Sequence, residues 1–264
     1  MSVPAEVLAH YNEGQEHARL TSGHGRLELW RTQDILLRHL PPPPASVLDV
    51  GGGPGIYAGW LAGLGYAVHV VDPVPLHVEQ ASALSGVTAA VGDARALVES
   101  EASYDVVLAL GPLYHLVERV ERVQAWREFR RVIVPGGLVV GAAISRFAAL
   151  NDGLRKDLIG DPSFVDMVET NLSAGTHRND RGVPGRFTTA YFHHPEELAD
   201  EVTDAGLRLL ALLGVECTAW LVETLPVLLD DPARRQLLLG WLRRIEAEPT
   251  ILGASSHLLT VAGR

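Results

Sequence analysis

Three aspartates, Asp49, Asp72 and Asp93, stand at or just beyond the ends of short apolar runs, and glycines crowd the first of them. In Val47-Leu-Asp-Val-Gly-Gly-Gly-Pro-Gly55, the residues Asp49, Gly51, Gly53 and Gly55 fall on alternate positions. Glycines let a turn lie against a ligand where a side chain would block it, and the amphipathic stretch that follows offers the unpaired N–H groups of a helix start. Such a turn favours a ligand with a negative or polar end. A carboxylate this close to the turn would crowd a pyrophosphate, whereas it accepts readily from an ammonium group, so an amino-acid end is favoured. The dinucleotide fingerprint also wants a third glycine where this chain has Ile56. Asp72 lies 23 residues after Asp49, close to the spacing of about 20 at which an acid ending the second strand meets ribose hydroxyls. A carboxylate can accept from both hydroxyls of a diol; the competing role for Asp72 is to cap the helix that follows Pro73 and Pro75. His115 brings an imidazole, the side chain whose unperturbed form titrates near neutrality, and Tyr114 stands beside it.

At these residues the chain resembles the class I S-adenosylmethionine-dependent methyltransferases, whose first motif runs acid-x-Gly-x-Gly-x-Gly. The pattern is present as Asp49, Gly51, Gly53 and Gly55. The resemblance implies S-adenosylmethionine as cofactor. It also implies that Asp93 accepts from the adenine amino group, that the backbone N–H of Ala94 meets a ring nitrogen, and that the reacting methyl points at the end of the strand closing with Leu110. An N-terminal helix over the cofactor would make Tyr11 and Arg19 lid residues. In such an enzyme His115 is the first candidate for the base that takes the acceptor's proton, His193 or His194 could approach from a lid, and Tyr114 and Tyr191 serve as wall or hydrogen-bond donors. Gly111-Pro-Leu-Tyr114 departs from the Asn/Asp-Pro-Pro-Tyr motif of enzymes that methylate adenine or glutamine amino groups. A dehydrogenase using NAD is disfavoured by Ile56 and Asp49, and a non-catalytic S-adenosylmethionine-binding or regulatory protein stays open, because fold does not fix activity.

The elements that must hold these residues follow from periodicity. Strands are predicted at 46–50, 66–72, 87–91, 104–110, 138–144, 207–215 and 257–261, with helices between them. The resemblance implies a Rossmann-like, doubly wound α/β fold: a seven-stranded, mostly parallel sheet whose last strand is antiparallel, with helical cap and lid insertions. Residues 1–44 read as an N-terminal helical cap ended by Pro41-Pro-Pro-Pro44, and 45–264 as the cofactor-binding domain. About 146–194 reads as a lid insertion, carrying Arg178, Arg181 and Arg186 and then Phe187, Tyr191, Phe192, His193 and His194. That mixture of aromatic walls and few charges fits a small acceptor, aromatic or anionic. Residues 218–248 form a second helical insertion.

The totals narrow the partners. A net charge of −10 disfavours nucleic acid. The single cysteine, Cys217, leaves no internal disulfide and no thiolate metal cluster, and reads as a small buried residue. His10, His17 and His24 recur every seven residues, but Gly14 interrupts a continuous face, so no metal is expected. No run reaches transmembrane length and no leader pattern opens the chain; a cytoplasmic monomer or homodimer is expected.

Overall fold

The strands β1 (Ser46–Val50), β2 (Ala67–Asp72), β3 (Val87–Val91), β4 (Tyr104–Ala109) and β5 (Ile133–Ser145) are parallel and lie in the order β3-β2-β1-β4-β5. The computed structural model describes residues 16–179 and 187–264. Strands β1 and β4 are buried on both faces, which is why they read as continuous apolar runs. Beyond β5 the sheet turns antiparallel: β9 (His257–Gly263) pairs with β5 on one side and with β8 (Arg208–Gly214) on the other. The seven predicted strands are therefore present, with the last one antiparallel as expected.

Helices cover both faces. The helices α2 (Gly25–His39), α3 (Ile56–Gly63) and α4 (Pro75–Ser82) share one apolar layer with Val47, Val70 and Leu108. The helices α5 (Arg119–Val132) and α8 (Pro195–Asp204) share the other with Leu48, Val50 and Val107. Side chains alternate along a strand, so Asp49 takes the same face as Val47. A short helix, α1 (Glu16–Thr21), precedes α2.

Two features depart from the predicted layout. The fifth strand, predicted at 138–144, begins at Ile133, so that Val134-Pro-Gly-Gly137 lies inside β5, where the register against β4 shifts between Tyr104 and Val106. Strand β5 also outruns β4. Its last residues, Ile144 and Ser145, pair in parallel with β7 (Ala190–His193), which in turn pairs with β6 (Thr176–His177). The sheet thus has nine strands among the described residues rather than seven. Helices α6 (Ala148–Arg155) and α7 (Pro162–Ala174) fill the segment between β5 and β6.

The second insertion holds α9 (Leu225–Asp230), α10 (Pro232–Ile245) and α11 (Pro249–Leu252). Leu225, Leu229, Leu239 and Leu242 pack with Leu27 and the buried Cys217. No described helix is long and apolar enough to cross a membrane.

One ionic cluster ties α2 to both the sheet and this insertion. Arg31 is fully buried; its Nε donates to the Val215 carbonyl at 2.9 Å, Nη1 to Asp34 at 2.8 Å and Nη2 to Glu246 at 2.5 Å. Arg38 also reaches Glu246, and Arg243 reaches Asp34. Replacing one partner of such a cluster strands the opposite charges. Arg31→Met is expected to lower stability by about 3 kcal/mol, the low end of the range because Arg38 and Arg243 still serve the two acids. Urea unfolding checks this, and a loss well under about 1 kcal/mol would show that the surface arginines suffice.

Candidate active site

The carboxyl ends of β1 to β4 open into a cavity of about 660 Å³, which α1 and α2 border from the other side. Asp49 lines it, is 1% exposed, and among the described residues neither of its carboxylate oxygens has a hydrogen-bond partner. Burial, and then the charge of Asp72, push its pKa up to about 7. Gly52 explains how the loop fits so closely: a Cβ there would sit 2.6 Å from Asp49 Oδ2. Gly51, with φ of +68°, makes the turn itself. Gly55 begins α3 and packs near Leu84 and Ala81, so it shapes the turn without lining the cavity.

Asp72 holds the same loop from the neighbouring strand. Its Oδ2 accepts from the Gly53 N–H at 2.9 Å, and Oδ1 accepts from the Val74 N–H at 2.9 Å and from His77 Nδ1 at 3.1 Å. The carboxylate therefore organises the turn as well as facing the cavity. Asp93 lines the cavity next to Ala94, gripped by Arg95, whose Nη2 lies 2.6 Å from Oδ2. Burial alone would raise the Asp93 pKa, but the hydrogen bonds and charge of Arg95 outweigh it and hold the carboxyl below its ordinary value. Arg95 is anchored in turn by Glu121 at 2.5 Å.

Past Leu110, which also lines the cavity, a single 3-10 turn at Leu113–His115 presents Tyr114 and His115. Tyr114 Oη donates to the Leu110 carbonyl at 3.3 Å. His115 Nδ1 donates to the Thr189 carbonyl at 3.2 Å, which places the lone pair of the neutral ring on Nε2. The two rings meet edge to face at 4.7 Å, with Phe187 5.6 Å from His115.

The far wall had no counterpart in the sequence reading. Glu28 and Thr32 from α2, Tyr57 from α3, and Val215, His257 and Leu259 from the antiparallel edge complete the cavity. His257 Nδ1 lies 2.6 Å from Glu216 Oε1 and 3.7 Å from Glu28 Oε2. Burial would lower the pKa of this ring, but the charges of Glu28 and Glu216 outweigh it and raise it to about 9. Glu28, Glu216 and His257 bring potential ligand atoms within 4.8 Å of one another. Those atoms already satisfy each other and Arg19 rather than converging on a gap. Antiparallel topology puts the first residue of the last strand at the carboxyl edge, a signal that could have led to His257.

Other expectations divide. Arg19 and Arg178 line the cavity. Tyr11, Arg181 and Arg186 lie outside the described residues. His193 is not brought to the cavity: it is fully buried at the end of β7, with Nε2 3.5 Å from Glu201 Oε2 and its ring edge-on to Tyr191 at 4.7 Å. Burial lowers its pKa. Arg122 donates to the same Glu201 at 2.7 Å, so His193 belongs to an internal ionic cluster without the access a proton acceptor needs. His194 begins α8, where its N–H donates to Glu197 at 2.9 Å.

A family model described as a methyltransferase domain matches residues 47–137. The ubiquinone biosynthesis O-methyltransferase of Methylobacterium nodulans is 30% identical over 183 residues, covering 67% of this chain and 66% of the relative. That of Paraburkholderia phytofirmans is 32% identical over 176 residues, covering 64% and 67%. Among solved structures, a SAM-dependent methyltransferase from Methanosarcina mazei aligns with a TM-score of 0.60 at 17% identity, covering 87% of this chain and 96% of that one, a likeness of fold. With the glycine turn, the strand order and these relatives in agreement, the chain belongs to the class I S-adenosylmethionine-dependent methyltransferases.

Proposed function

We propose that this methyltransferase acts on an oxygen of a small, planar, hydroxylated acceptor, and that Asp49 receives the ammonium group of S-adenosylmethionine. The unpartnered Asp49 carboxylate carries the reading, because a buried acid with no donor is stabilised only by a proton or by a cation that enters beside it. The glycine turn fits an amino-acid end passing over it, since a side chain at Gly52 would meet Asp49. Asp72 retains lone pairs for ribose hydroxyls beyond the bonds it makes to the loop, while Asp93 and Ala94 border the place for adenine, and Arg19 closes the cavity from α1. When bound, the cofactor supplies a methyl group already activated on a sulfonium.

The chain's own task is then alignment, exclusion of water and removal of the acceptor's proton. His115 takes that proton on Nε2, the basic atom of the tautomer that Thr189 selects. Tyr114 and Tyr57 supply walls for a flat ring. Oxygen is favoured as the accepting atom by the relatives, which are O-methyltransferases.

Asp49→Asn preserves shape and removes charge. It is expected to weaken S-adenosylhomocysteine binding about tenfold or more in calorimetry at mildly alkaline pH, with NAD as the control ligand. Wild-type affinity in this variant would sink the assignment. The pH dependence has a definite sign. Asp49 keeps its proton up to about 7 instead of its ordinary 3.8, so the folded chain holds a proton that the unfolded chain has released. The unliganded protein therefore loses stability as pH rises from the ordinary carboxylate range to about 7 and then levels off, while affinity for an ammonium ligand climbs over the same interval. Neither slope should survive in the Asn variant. His115→Gln is expected to reduce turnover roughly a hundredfold while S-adenosylhomocysteine still binds normally. Turnover at the wild-type rate with phenolic acceptors would remove His115 as the base.

A further inference from the structure

The cavity holds a second charged assembly, on the wall away from Asp93, that the binding of the methyl donor does not use. Glu28 on α2, Glu216 just after β8 and His257 at the start of β9 are distant in sequence and converge there. Glu216 is 3% exposed, and its position is fixed: Oε2 accepts from Ser255 Oγ and from the His257 N–H, both at 3.0 Å, while Oε1 faces His257 Nδ1. Glu28 is gripped by Arg19, with Nη1 at 2.6 Å and Nη2 at 3.1 Å. Both carboxylates thus address one edge of the His257 ring. Among the described residues no hydrogen bond engages Nε2, although the residue lines the cavity.

Three elements besides its own bring charge to this ring: Arg19 from α1, Glu28 from α2 and Glu216 from the segment after β8. The two acids prevail over burial and over Arg19, so the ring is an imidazolium at neutral pH and sheds its proton only near 9. A cation in that state is a poor base. It is a good donor to an anion, and its surroundings are apolar: Leu20, Ala142, Val215 and Leu259 share one core cluster with Tyr57. An imidazolium among such walls favours an anionic oxygen attached to a flat apolar body, because the charge-assisted hydrogen bond offsets the hydration that the anion loses on entering.

We propose that His257 is a specificity-determining residue of this methyltransferase, its Nε2–H binding an ionised oxygen, phenolate or carboxylate, on an aromatic acceptor, distinct from the hydroxyl whose proton His115 takes. Glu216 and Glu28 are positioning residues that hold the ring by its other edge. The inference rests on the methyl-transfer reading, which puts the donor in the same cavity. It names the acceptor class: aromatic molecules that are anions when bound.

The test uses the full chain with S-adenosylhomocysteine present. Binding of 4-nitrophenol and of benzoate is compared with that of their neutral counterparts, 4-nitroanisole and benzamide. 4-Nitrophenol is coloured only when ionised, so its absorbance reports the bound charge without any turnover. The expected result is binding of at least one anion about tenfold tighter than its neutral counterpart, lost in His257→Gln. Tighter binding of the nitrophenolate alone identifies a phenolate site, and of benzoate alone a carboxylate site. In the wild type the preference should persist as pH rises and fade only through about 9, where His257 loses its proton. Glu216→Gln should move that upper limit down by removing one of the charges that hold the proton. If His257→Gln has also lost S-adenosylhomocysteine, its cavity is disturbed, and the shift of the limit in Glu216→Gln decides the matter. Equal binding of anions and neutral counterparts, or a preference unchanged in both variants, would overturn the assignment of His257 while leaving the methyl-transfer reading intact. Failure of the wild type to bind S-adenosylhomocysteine would overturn both.

Discussion

A carboxylate buried without a donor is the constraint on which the site depends. Asp49 sits where β1 ends, out of water and without a hydrogen-bond partner among the described residues. In a low-dielectric pocket such a group either keeps its proton or waits for a cation, and its pKa near 7 leaves it divided between the two at physiological pH. The loop around it follows from this. Gly52 must lack a side chain, Gly51 must turn left-handed, and Asp72 must spend part of its bonding capacity on Gly53 to hold the curve open. The turn is shaped for something that completes Asp49 from outside the chain.

The buried ions of this protein fall into two kinds, and the distinction separates architecture from chemistry. Arg31 with Asp34 and Glu246, and Arg122 with Glu201, turn their bonding groups toward one another and toward backbone carbonyls. They join elements and present nothing to the cavity. Asp49 and His257 differ in lining the cavity: Asp49 has both oxygens unengaged among the described residues, and His257 has one ring edge held by Glu216 while the other is not. Arg31 links the two kinds, since its bond to Val215 fixes the backbone immediately before Glu216.

How much of this could be read in the chain depended on distance along it. The glycine turn and the three acids at successive strand ends were legible because each is a local pattern: an apolar run, a break, a polar residue; the antiparallel direction of the last strand came only from the family resemblance. The strands β6 and β7 were not, being two and four residues long, too short to show a period. The same shortness hid which way His193 faced, and it turned inward to Glu201. Asp93 was placed at the cavity, but its capture by Arg95 two residues on depends on side-chain direction rather than spacing. Glu28, Glu216 and His257 escaped notice because nothing local relates a mid-helix acid, an acid after a strand and a histidine before one. Only the assembled sheet and its helices bring them together.

The overrun of β5 divides the molecule's capacity for change. Its last residues are hydrogen-bonded on one edge to β9 and on the other to β7, so the segment between β5 and α8 hangs from a strand already braced on both sides. The parallel strands that carry Asp49, Asp72 and Asp93 end well before that bracket. Helices α6 and α7 therefore join the sheet through this bracket, apart from the strand ends that hold the acids. Acceptor recognition is thus shared between this attached segment and the sheet itself, and a new acceptor would require His257 on β9 to change as well as the segment.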